Sequence, residues 1–135
     1  DDALLVDLFH RAIRRLFEKE GDEPPLAPKV KVVNLSFGNP RQPFDRQCSP
    51  LARLLDWLAW KYRVLFIVSA GNQGQDITIV ETVEKWKDLP PEELRAQVIH
   101  AMLKDQLFRR PFSPAEAVNA VTVGAWHHDD SEHSG

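Results

Sequence analysis

The sequence predicts an α/β fold in which a parallel β-sheet is sandwiched by helices, and three observations predict it. Short β-branched runs alternate with longer segments of helical spacing. The runs are apolar at consecutive positions, as strands covered on both faces are. Two of them end in polar, glycine-containing turns, where an open parallel sheet gathers its ligands. Alternation of this kind argues for crossover connections within one sheet.

Composition agrees with a globular chain and narrows its partners. The 135 residues are 43% hydrophobic and 27% charged, which excludes wholesale disorder. Seventeen Lys and Arg face twenty Asp and Glu, a formal charge of −3, so no bulk positive field draws nucleic acid. No apolar run approaches the roughly 18 residues of a membrane span, and no signal-peptide pattern opens the chain. Cys48 stands alone, which removes an internal disulfide and a multi-cysteine metal site. The chain opens on a helix pattern without an initiator Met and stops in a polar stretch, so residues 1–135 read as a fragment of a longer domain.

The elements follow in order. Leu4, Leu5, Leu8, Phe9, Ala12, Ile13, Leu16 and Phe17 repeat at helical spacing, with Asp2 as a cap and Gly21 as a left-handed stop. Val30 to Phe37 is a buried strand, broken by Gly38-Asn39-Pro40 and followed by an irregular loop to Cys48. Ser49-Pro50 offers a capping residue and then proline at the first helical position. Leu51, Leu54, Leu55, Leu58 and Tyr62 form the buried stripe of that helix, flanked by Trp57 and Trp60. Val64 to Ser69 is a second strand ending at Ala70-Gly71-Asn72. From Asp76 to Arg110 the spacing predicts two helices split at Pro90-Pro91, the second with Glu92 and Glu93 at its start and Arg109 and Arg110 at its end. Ser113-Pro114 repeats the cap-proline signal for a short helical turn, and Ala120 to Ala125 is a third strand.

Function belongs at the carboxyl ends of the first two strands. A glycine there lets main chain approach a ligand, and the amide of Asn72 can donate to a developing oxyanion. The same residues also serve as ordinary turn and cap residues, so in isolation they are ambiguous. In order, however, Asn34-Leu35-Ser36-Phe37-Gly38, a helix, Ala70-Gly71-Asn72 and Val121-Thr122-Val123-Gly124-Ala125 form a set. That set resembles the middle of the catalytic domain of subtilisin-like serine proteases.

The resemblance covers Leu4 to Gly38, Ser49 to Gly74 and Phe112 to Gly135, and it implies a partial subtilisin-like fold. It implies an intact protein that hydrolyses peptide bonds through a Ser-His-Asp triad and an oxyanion hole. It implies Asn72 as the oxyanion-hole side chain, Ser36, Phe37, Gly38, Ala70 and Gly71 as substrate-binding walls, and a polypeptide as the substrate. The segment Ser36-Phe37-Gly38, leaving the sheet extended, is expected to pair with a peptide by strand addition. No cofactor is implied; the family allows calcium, with no residue here assignable to it.

The departures are as informative. The family's Asp-Thr-Gly, His-Gly-Thr and Gly-Thr-Ser motifs do not occur in this sequence, so this segment is expected to be inactive alone. Phe37 is bulkier than the aliphatic residue common at its position. Gln75 to Pro111 is longer than the usual connection, a helical insertion over 75–111 that either roofs the pocket or packs on the flank. A non-catalytic pseudoprotease serving as a peptide-binding or regulatory scaffold is the alternative function, and a doubly wound small-ligand or nucleotide-binding domain unrelated to proteolysis is a third. Against the last, Gly71-Asn72-Gln73-Gly74 lacks the spacing and the Lys-Ser/Thr ending of a phosphate loop.

His127 to His133 offers metal-type ligands, but adjacent residues point in different directions and no metal site is assigned there. Cys48, His10 and His100 lack partners in the sequence that would make them catalytic. A slice of a larger sheet also leaves strand edges unpaired, so self-association is expected.

Overall fold

Helical spacing in the first segment becomes a helix, α1, over Asp2–Phe17 in the computed structural model, which describes residues 2–72, 88–104 and 106–125. Its stripe is buried most deeply toward its C-terminal end. Ile13 is buried and Leu16 and Phe17 pack against the core, whereas Leu4 and Leu8 are exposed. Gly21 adopts φ +59°, as expected of a left-handed residue, in the turn that follows the helix.

The strands are shorter than the apolar runs that announce them. β1 is Val32–Leu35, β3 is Leu65–Ser69 and β5 is Ala120–Val123. They form a parallel sheet in the order β1-β3-β5, with Leu35 opposite Val68 and Ser69 opposite Val123. Phe66 and Val68 of the central strand are almost fully buried beneath Leu55 and Leu58 of α2, Pro50–Tyr62. Burying side chains of this size stabilises the fold by roughly 1.5–3 kcal/mol each.

α2 is held at both ends by its own sequence. Ser49 is the N-cap, its Oγ accepting from the Ala52 amide at 3.1 Å, with Pro50 in the first turn. At the other end Arg63 turns left-handed at φ 55°, and its N–H donates to the Ala59 carbonyl. α1 and α2 then lie on the same face of the sheet, where Phe17 stacks on Tyr62 at 4.6 Å. Because side chains alternate along a strand, Val32, Leu65, Val121 and Val123 share the opposite face. All four are exposed among the described residues.

Two expectations change. The loop after β1 contains a strand, β2 (Asn39–Pro43), which pairs antiparallel with β4 (Phe112–Ser113) across an irregular register. Ser113-Pro114 starts no helix. Ser113 belongs to β4, the Ser113–Pro114 peptide bond is cis, and the chain turns toward β5. The Ser113 hydroxyl is buried and meets the Ser49 hydroxyl at 2.6 Å, so its partner is the cap of another helix.

Of the two helices expected between Asp76 and Arg110, the first lies outside the described residues. The second is α3, Pro91–Lys104, followed by a separate 3₁₀ turn at Gln106–Arg109. Only Ala101 of α3 is buried; Leu94 and Val98 are half-buried, and Ile99, Met102 and Leu103 are exposed.

Candidate active site

Parallel pairing in register sends β1 and β3 out of the sheet at the same end. The two segments marked by the sequence, 36–38 and 70–72, therefore leave side by side. They touch: a Cβ built on Gly38 would stand 3.3 Å from the Cα of Gly71. Side chains at either position would hold the loops apart, which gives both glycines a physical reason.

Each loop is shaped by local hydrogen bonds. The Phe37 amide donates to the Leu35 carbonyl at 2.8 Å, a tight turn centred on Ser36. The turn uses the main-chain donor of Phe37. The Asn34 side-chain amide donates to Ser36 Oγ at 3.2 Å, and Ser36 is exposed at the rim. The Phe37 ring faces α1, 6.1 Å from Phe9, so its bulk goes into helix packing and its main chain remains at the rim.

The second loop is fixed more firmly. The Ala70 amide donates to the Val123 carbonyl at 2.9 Å, and the Ala70 carbonyl accepts from the Phe112 amide at 3.0 Å. Ser69 Oγ accepts from the Gly71 amide at 3.1 Å. Gly71 itself has φ +100°, outside the range that side-chain-bearing residues normally adopt. Asn72 follows on this stiff base and is exposed. A short amide side chain at this position can donate to a ligand at the rim.

Phe112 is the residue that sequence reading missed. It is 7% exposed and lies across both glycines, so close that a Cβ on Gly71 would be 2.3 Å from its ring. The only sequence signal was an apolar residue where the chain returns toward the sheet just before Ser113-Pro114.

Other marked residues lie apart. Cys48 is a free thiol, half-buried and packed against the core. His10 meets Trp57 edge-on at 5.6 Å, and His100 is exposed on α3. Among the described residues no group of three or more His, Cys, Asp or Glu is arranged to hold a metal. His127 to His133, with Gln73 and Gly74 of the loop weighed for phosphate, lie outside the described residues. No helix among the described residues is long and apolar enough to cross a membrane.

A parallel sheet with two glycine-bearing loops in contact at its carboxyl edge is an architecture suited to a hydrolase cleft. The family model described as the subtilase family matches residues 7–134, almost the whole chain, and the chain belongs to that family of serine peptidases. No curated protein and no solved structure matches it.

Proposed function

We propose that this chain supplies the oxyanion side of the substrate cleft in a serine endopeptidase. The observation that carries the reading is the contact of Gly38 with Gly71, which brings both loops to one rim. Asn72 is the oxyanion donor. Ser36, the main chain of Phe37, Gly38, Ala70 and Gly71 form walls along which a polypeptide substrate lies.

The chemistry divides between this chain and the triad. A serine hydroxyl attacks the scissile carbonyl while a histidine takes its proton, and an aspartate holds that histidine in the required tautomer. As the carbonyl carbon becomes tetrahedral its oxygen gains negative charge, and the Asn72 amide donates to it. An interaction stronger in the transition state than in the bound substrate raises turnover without tightening binding. The triad motifs of the family are not in this sequence, so the chain on its own leaves peptide bonds intact.

Asn72→Leu, made in the complete protein that carries this chain together with its triad, tests the assignment. Turnover should fall about 10²–10³-fold with KM nearly constant, a magnitude borrowed from the corresponding donor of subtilisin itself. Unchanged turnover would remove Asn72 from the oxyanion hole. A complete protein that neither hydrolyses peptides nor reacts with a fluorophosphonate would instead be a non-catalytic scaffold.

A further inference from the structure

We propose that Phe112 fills the side-chain pocket between the two strand-end loops and limits the residue on the acyl side of the cut bond to glycine, alanine or serine. The proposal rests on the peptidase reading above and adds a substrate class to it.

Glycines at 38 and 71 withdraw side chains from the gap between the loops, and the Phe112 side chain occupies it. A Cβ on Gly38 would lie 3.3 Å from the Phe112 Cβ, and one on Gly71 would lie 2.8 Å from its Cγ. The side chain therefore covers both walls at once. It is also firmly placed. The Phe112 amide donates to the Ala70 carbonyl, Pro43 of β2 is its pairing partner, and the adjacent Ser113 is tied to Ser49 at 2.6 Å. These contacts fix the main chain from which the ring projects, and the residue itself is 7% exposed, so moving the ring would crowd its neighbours.

A substrate side chain that rests on the backbone of Ala70 and Gly71 then meets a phenyl ring where a deep pocket would otherwise open. A methyl or hydroxymethyl group fits above it, and a benzyl or isobutyl group does not. Hydrophobic pockets discriminate by about 10–200-fold for a single methylene. Exclusion of a whole ring should reach at least the upper part of that range.

The test uses the complete protein and two peptide p-nitroanilides, Ala-Ala-Pro-Ala and Ala-Ala-Pro-Phe. The wild type should favour the alanyl substrate in kcat/KM by about 10² or more. Phe112→Ala should shrink that preference at least about tenfold, because the emptied space admits the benzyl group. Phe112→Leu, which keeps an apolar side chain in place, should give an intermediate ratio and guards against misfolding of the smaller variant. Equal wild-type rates on the two substrates would overturn the proposal while leaving the peptidase reading intact. So would variants that slow both substrates in proportion, since that marks Phe112 as structural support alone. Failure of the wild type to hydrolyse either peptide or to react with a fluorophosphonate would defeat the peptidase reading and the proposal with it.

Discussion

The hydroxyl of Tyr62 donates to Glu18 at 2.7 Å, joining the last turn of α2 to the residue that follows α1. Lys61 adds its ammonium to the same carboxylate oxygen at 2.6 Å. Hydrogen bonds from Lys61 first, and then Tyr62, hold the Glu18 carboxyl below its ordinary 4.5. A carboxylate favoured in the folded state contributes stability above its unfolded value and loses it as pH falls through the folded value. The thermal midpoint should therefore drop on acidification through the carboxylate range, and Glu18→Gln should flatten that part of the profile. A Glu18→Gln profile superimposable on the wild type would show that the pairing does not contribute.

The alkaline side has the opposite sign. Burial, and then the bond to Glu18, raise Tyr62 above its ordinary 10.0, and the bond to Glu18 raises Lys61. These groups stabilise the fold below their unfolded values and cease to do so as pH rises through the raised ones. Tyr62→Phe should remove the tyrosine's share of the alkaline loss, which thermal melts above pH ~10 can read.

Ser49 serves two partners. Ser49→Ala removes the cap of α2, at a cost of about 1 kcal/mol, and deprives the buried Ser113 hydroxyl of its contact. Leaving a buried hydroxyl unsatisfied costs about 1–3 kcal/mol more. Urea unfolding should register a loss of about 2–4 kcal/mol, the sum of those two effects, whereas Ser49→Thr should retain most of the stability. A loss below about 0.5 kcal/mol for the alanine variant would show that neither bond matters.

Gly21 and Gly71 make a matched pair. Both have positive φ, but nothing lies within 4 Å of a Cβ at Gly21, whereas the Phe112 ring is 2.3 Å from one at Gly71. Gly21→Asn should be tolerated within about 1 kcal/mol, since asparagine enters the left-handed region readily. Gly71→Asn combines strain with overlap and should cost at least about 2 kcal/mol in urea unfolding. Equal losses at the two sites would contradict the close packing at the rim.

Self-association is the expected behaviour of a sheet with open edges and an open face. Among the described residues β1 and β5 each pair on one side only, and Val32 and Val123 are both 52% exposed. Sedimentation velocity should show concentration-dependent dimers or larger species, reduced by Val32→Lys with Val123→Lys. A monomer that persists at high concentration would count against this expectation.

What was legible in the sequence was local. Ser49 followed by Pro50 identifies a helix start because capping and a fixed φ act within one turn, and Gly21 identifies a left-handed turn for the same reason. Ser113-Pro114 carries the same two letters and means something else, because its surroundings come from β2 and from Ser49, both far away along the chain. β2 was hidden by Pro40 and Pro43, which suppress the usual strand pattern and are tolerated here in a two-stranded ribbon. At the site, the order of the glycine-bearing loops was readable, since parallel strands bring their ends together. The ring that covers them was not, because its contact with Gly71 depends on how a long intervening stretch returns.

That return has a consequence for how the chain tolerates change. The Phe112 amide meets the carbonyl of Ala70, and just before it Pro111 and Arg110 bond to Phe44 and Asp45, so the returning chain is pinned where it rejoins the second loop. With that junction pinned, each doubling of the intervening length costs only about 0.6 kcal/mol in closure entropy. Engineered versions that keep Gly71 and Asn72 at one end and Arg110 and Pro111 at the other should accept changes of length in the stretch between them, which makes it a socket for grafting a foreign module beside the two loops.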